Sequence, residues 1–212
     1  MPRKNFVQDP NLPYHIISRC INRDWFAQEM PLVWKIVTRH LFFVNHAFNL
    51  RIHGFVLMNN HFHMIIRAPD GNLSEAMAYF LRETSRDLTR LSNRINQTFG
   101  GRFRRSLISS PHYYSHAYKY LYRNPVEAGL CERVEDYEYS SLQGLLGKRW
   151  LDVPISEDEN WANFASREET LEWLNASPKK EHWEEVRKAL RRSEFKLAPV
   201  NQRKSSLEDD AL

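Results

Sequence analysis

The stretch Asn60-His61-Phe62-His63-Met64-Ile65-Ile66 sets two imidazoles one residue apart. Alternate side chains of a β-strand share a face, so His61 and His63 point the same way. Such a pair can hold one metal ion between its ring nitrogens, and it can equally be a hydrogen-bonded surface pair. Ile65 and Arg67 share that face, whereas Phe62, Met64, Ile66 and Ala68 make a continuous apolar surface on the other. The histidines are therefore expected on the face less committed to the core.

A second pattern lies in YKYLYRNPVEAGL, residues 118–130. If a helix runs through both, Tyr120 and Asn124 lie on one face, one turn apart. An asparagine oxygen can ligate a hard cation, and a phenol beside a cation can become a nucleophile. Tyr118 and Tyr122 form another such pair, rotated away. A structural alternative stands beside this one. Asn124-Pro125-Val126-Glu127 also fits a helix N-cap with proline at the first position and a reciprocal glutamate. The third pattern is Arg82, Arg86, Arg90 and Arg94, which recur every four residues as a slanting ridge. It runs on into Arg102, Arg104 and Arg105, interleaved with Phe99 and Phe103. Arginine with aromatics suits single-stranded nucleic acid, whose bases can stack; the alternative is a solvated helix face tempered by Glu83 and Asp87.

These side chains need elements to position them. Hydrophobic periodicity and turn signals predict strands over 14–20, 51–58, 61–68 and 104–110. They predict helices over 31–49, 74–97 and 115–130, the last interrupted at Pro125. Asn59 and Asn60 tolerate the left-handed angles of a tight hairpin. The stripe of the second helix is Met77, Leu81, Leu88, Leu91 and Ile95. The order β-α-β-β-α-β-α matches the split β-α-β plan, so the expected class is α+β, a ferredoxin-like antiparallel sheet with helices. Residues 151–163 read as an acidic linker, and 166–175 and 179–192 as two helices of a C-terminal extension. The expected organisation is a domain over 1–153, a helical extension over 154–198 and a disordered tail over 199–212.

Charge adds a partner class. Residues 1–150 hold 20 Lys and Arg against 12 Asp and Glu, whereas 151–212 hold 10 against 14. Residues 82–105 carry seven arginines, no lysine and two acids. A basic body with a concentrated arginine segment points to a polyanion. No apolar run approaches the roughly 18 residues that span a membrane, and MPRKNFVQDP has no signal-peptide apolar region. Cys20 and Cys131 are too few for a disulfide framework. A cytoplasmic protein with no membrane partner is expected.

Together the patterns resemble the REP-associated tyrosine transposases, relatives of the single-tyrosine HUH transposases. The resemblance is carried by YHIISRCINRDWF (14–26), GFVLMNNHFHMII (54–66), GGRFRRS (100–106), YLYRNPVEAGL (120–130) and YSSLQGLLGKRWLDV (139–153), in that order. Two positions depart from the family pattern: Asn59 replaces a proline and Cys20 a glycine. The resemblance implies an HUH nuclease-like fold. It implies a nucleophile at Tyr120 and metal ligation by His61, His63 and Asn124. It implies single-stranded or hairpin DNA as substrate, a 5′-phosphotyrosine intermediate and Mg²⁺ or Mn²⁺ as cofactor. Arg19 and the arginine segment are then expected to contact DNA, and the tyrosine helix of a monomer to serve its own histidines. Two other functions share these residues: a hairpin-binding protein without cleavage, and a metallohydrolase that uses water.

Overall fold

A computed structural model of the chain describes residues 8–92, 96–156, 166–197, 205–208 and 212. The four strands are β1 (Tyr14–Arg19), β2 (Arg51–Met58), β3 (His61–Arg67) and β4 (Arg104–Leu107). They form one antiparallel sheet in the order β2-β3-β1-β4. This is the ferredoxin-like arrangement expected from the sequence. The helices are α1 (Met30–Ala47), α2 (Leu73–Arg90), α3 (Pro111–Glu127), the short α4 (Leu142–Leu145), α5 (Arg167–Asn175) and α6 (Lys180–Ala189). None of the described helices is long and apolar enough to cross a membrane.

The sheet is buried on both faces. Ile16, Phe55, Leu57, Phe62, Met64 and Ile66 pack with α1 and α2 in one core. Val56, Met58 and Ile65 pack with α3 and α6 in a second. The histidine face is thus not the less committed one, as strand alternation alone suggested. The reason is α3, whose Tyr114, Tyr118, Leu121 and Tyr122 are all buried. Gly54 lets this helix approach the sheet: a Cβ there would lie 2.8 Å from Leu121 Cδ2 and 3.1 Å from the Tyr122 hydroxyl.

Several boundaries differ from expectation, each for a local reason. Helix α2 stops at Arg90 rather than 97, and Leu91 is 57% exposed instead of closing the apolar stripe. Ser92 donates its hydroxyl to the Thr89 carbonyl, so a side chain competes for the next turn's acceptor. Ile95 and Arg94 lie outside the described residues. Strand β4 ends at Leu107 because α3 starts early. Ser110 caps it by accepting from the Tyr113 amide (3.1 Å), and Pro111 takes the first position. The same helix runs through Pro125, so the N-cap reading of Asn124 fails. The Asn124 amide donates to the Tyr120 carbonyl (2.6 Å), and Glu127 pairs with Arg123 (2.8 Å). Asn59 and Asn60 turn the β2–β3 hairpin without positive φ. Asn60 instead reaches His61 Nδ1 (2.6 Å) and the Arg23 carbonyl (2.7 Å).

The segment after residue 150 is anchored. Val153 is buried, and the Ser156 amide donates to the Ile52 carbonyl (2.7 Å), so residues 151–156 of the expected linker lie along β2, and 157–163 fall outside the described residues. Helix α5 opens on a Ser166–Glu169 capping box. Buried Arg123 of α3 donates to the carbonyls of Leu174 (3.2 Å) and Asn175 (2.7 Å) at its far end. Residues 205–208 also pack on α3, where His112 and His116 contact the Leu207 carbonyl at 2.6 and 3.0 Å.

Candidate active site

Strands β1 and β3 set the floor of the site. Their register pairs Arg19 with His61 and Ile17 with His63, and the period of two puts these and His15 on the α3 side. His15 Nε2 lies 3.0 Å from His63 Nδ1. Neither residue is more than 2% exposed. The His61 and His63 ring centroids are 5.0 Å apart. Burial pushes His15 and His61 down to about 3, and it lowers His63 well below the ordinary histidine value. All three imidazoles are therefore neutral at physiological pH and keep a lone pair each.

Helix α3 supplies the roof. Tyr120 stands edge-on to His63 (5.6 Å between centroids) and to His15 (6.0 Å). Tyr118 and Tyr122 turn the other way into the core, 4.8 Å apart, with the Tyr122 hydroxyl 2.8 Å from Ser141 Oγ. The 3.6-residue repeat separates the tyrosines as the sequence implied. Tyr120 and Asn124 both line a cleft of about 790 Å³ with His15, His61 and His63. Burial raises the Tyr120 phenol pKa, and the charges of Arg187, Arg191 and Arg19 oppose that shift.

The arginines divide between the two sheet faces. Adjacent residues of a strand point opposite ways. Arg104 sits beside Ile17 and lines the tyrosine cleft, whereas Arg105 sits beside Ile16 and lines a second groove of about 930 Å³. Arg82, Arg86 and Arg90 of α2 line that second groove with Phe99 and Phe103. Arg19 belongs to the tyrosine cleft, and Arg102 borders both. The expected single ridge is therefore two basic surfaces that meet at Arg102. Arg82 (2.9 Å) and Arg86 share Glu83, which weakens the ridge charge.

His15, Trp183, Arg187 and Arg191 also line the cleft and were not read from the sequence. His15 has the parity of His61 and His63 only once β1 is paired with β3. The other three lie far along the chain, where no local pattern ties them to Tyr120.

The four-stranded sheet thus carries Tyr120 of α3 above a floor of three histidines. The solved structure of a REP-associated tyrosine transposase bound to a REP hairpin matches this fold with a TM-score of 0.60 at 16% identity, covering 74% of this chain and 93% of that one. A family model described as "Transposase IS200 like" matches residues 8–120, more than half of the sequence. The chain belongs to the IS200-like transposase family. Among curated proteins no sequence match is found.

Proposed function

We propose that this protein nicks and rejoins single-stranded DNA beside a hairpin, through a covalent link between Tyr120 and a DNA 5′-phosphate. The observation that carries this reading is the Tyr120 ring 5.6 Å from the His63 ring, in a cleft walled by arginines. The REP hairpin held by the structurally similar transposase supports a hairpin substrate. The second basic groove, on the opposite sheet face, suits the stem, and Arg102 at the junction suits the passage of a strand between the two.

In this mechanism the Tyr120 oxygen loses its proton and attacks the scissile phosphorus. The bond from phosphorus to the 3′ oxygen breaks, and that oxygen takes up a proton to leave a 3′-hydroxyl. Rejoining is the reverse: a 3′-hydroxyl attacks the phosphotyrosine and the phenol regains its proton. One phosphodiester-level bond is exchanged for another, so no ATP is needed. Arginine charge in the cleft stabilises the phosphate as negative charge builds on it.

Among the described residues no group of three or more His, Cys, Asp and Glu converges as a cation site. The fit of a divalent ion therefore rests on two imidazoles and an amide. Asn60 Oδ1 engages His61 Nδ1, which leaves His61 Nε2 as the free lone pair. If His63 Nδ1–H donates to His15 Nε2, the lone pair of His63 is likewise left on Nε2. The Asn124 amide nitrogen is occupied by the Tyr120 carbonyl, so its oxygen is the atom left to ligate. These residues fit a Mg²⁺ or Mn²⁺ ion, which when bound supplies Lewis-acid polarisation of the scissile phosphate. We propose that the protein acts as a monomer, since Tyr120 meets histidines of its own chain.

A second reading is supported by the cover over Tyr120, which is only 6% exposed: a hairpin-binding protein that does not cut. One gel separates the two. The wild-type protein with Mn²⁺ and labelled single-stranded hairpin DNA is expected to give a denaturation-resistant adduct. Tyr120→Phe is expected to bind but give none, and Tyr118→Phe and Tyr122→Phe to keep it. Binding without any adduct would favour the second reading, and cleavage without adduct a hydrolase. An adduct in Tyr120→Phe would move the nucleophile elsewhere.

A further inference from the structure

The tyrosine cleft is not closed by the segment that the family model matches. Its outer wall is α6, some sixty residues beyond the end of that match at Tyr120. Val186 and Ala189 of α6 are buried, in the core shared with α3. Trp183 lies face to face with Tyr120, with ring centroids 4.6 Å apart and planes inclined by 30°. Arg187 and Arg191 follow at successive four-residue steps and enter the same cleft. The first step advances about 6 Å along the axis, so Trp183 and Arg187 form one ridge of α6, and Arg191 lies in the turn just past the helix end at Ala189.

The charges of this wall are not used up within the protein. Glu184 pairs with Arg187 at 2.7 Å, yet Arg187 Nε is buried with no hydrogen-bond partner among the described residues. Arg191 has no ion pair among them. Among the described residues Glu127 is the one acid bordering the cleft, and it is held by Arg123 at 2.8 Å. Arg191, without an ion pair among the described residues, and Arg187, half-exposed and sharing its charge with Glu184, match a ligand that brings its own phosphates to this wall of the cleft.

We propose that this C-terminal segment is a working wall of the active site. Arg187 and Arg191 bind phosphates of the single strand flanking the cleavage point, and Trp183 is a positioning residue that holds the Tyr120 ring. The Trp183 half rests on the tyrosine-nucleophile reading above; the arginine half requires only that the cleft takes single-stranded DNA.

The test uses the full-length chain and two probes: a DNA hairpin with single-stranded flanks, and the same hairpin trimmed to its stem. Arg187→Gln with Arg191→Gln is expected to weaken binding of the flanked hairpin at least tenfold and to lower its salt slope by about one to two. Binding of the bare stem is expected to stay within twofold, and Arg187→Lys with Arg191→Lys to restore most of the flank affinity. Equal losses on both probes, or no loss on either, would overturn the arginine assignment. Trp183→Ala is expected to bind the flanked hairpin normally and form the adduct at least tenfold more slowly, with Trp183→Phe close to wild type. An unchanged adduct rate in Trp183→Ala, or a loss of binding as large as the loss of rate, would overturn the positioning role. Absence of any adduct from wild type would remove the nucleophile reading and the Trp183 half with it, while the binding comparison still decides the arginines.

Discussion

At the residue scale, the informative partner is His15. A ligating histidine needs its other ring nitrogen occupied, because that contact fixes tautomer and ring orientation. If His61 ligates a metal as proposed, Asn60 does this for it from the adjacent position in the chain. His15 does it for His63 from a neighbouring strand, and the His15 Nδ1 atom is buried without a partner among the described residues. The contact with His63 is thus kept at the cost of an unsatisfied nitrogen. His15→Phe is expected to preserve hairpin affinity and to lower adduct formation by about 10–100-fold at fixed Mn²⁺. A Mn²⁺ titration of the adduct rate checks it: the midpoint should move to higher metal in His15→Phe. An unmoved midpoint would make His15 a packing residue. His61→Ala and His63→Ala are expected to lose cleavage outright and keep binding within a few-fold.

At the element scale, α2 and α3 lie on opposite faces of the sheet, and in the proposed function this separates binding from chemistry. Helix α3 carries Tyr120 and Asn124 toward the histidines, while α2 lies on the opposite sheet face with its arginines lining the other groove. Substituting Arg82, Arg86 and Arg90 together with glutamine is expected to weaken binding of the hairpin stem. The salt slope should fall by about one to three, less than one per arginine if Glu83 already neutralises part of the pair it holds. Binding measured from low to moderate salt tests this, and an unchanged slope would make the ridge a solvated face. The adduct formed at saturating DNA should persist in this variant, since none of these residues borders the tyrosine cleft.

At the scale of the whole molecule, the C-terminal segments are held on α3 by buried polar groups, and one of them, His116, responds to pH. His116 is fully buried, and burial pushes it down to about 4. Its folded-state pKa lies below the unfolded value of 6.5, so the unfolded chain binds the proton first. The stability it contributes is complete above pH 6.5 and is lost as pH falls toward 4. The loss is on the order of 3 kcal/mol for this one group. Melting temperatures at pH 7 and pH 4.5 should therefore differ, and His116→Gln should narrow the gap by removing the titration. An equal gap in the variant would place the acid sensitivity in other groups, among them His15 and His61, which burial also depresses.

What the sequence determined by itself is what depends on short range. The β-α-β-β-α-β-α order, the shared face of His61 and His63, and the shared face of Tyr120 and Asn124 follow from strand and helix periods within a few residues. The end of α2 at Arg90 and the start of α3 at Pro111 turned on side-chain hydrogen bonds too weak to outvote periodicity on paper. The tertiary structure alone decided which faces are covered and which residues meet. His15 reaches His63 through strand pairing, Arg104 and Arg105 part company across one sheet, and Trp183 reaches Tyr120 from 63 positions away by packing on α3. No local rule encodes such contacts, because closing a long loop is set by the burial of whole faces rather than by the residues at its ends.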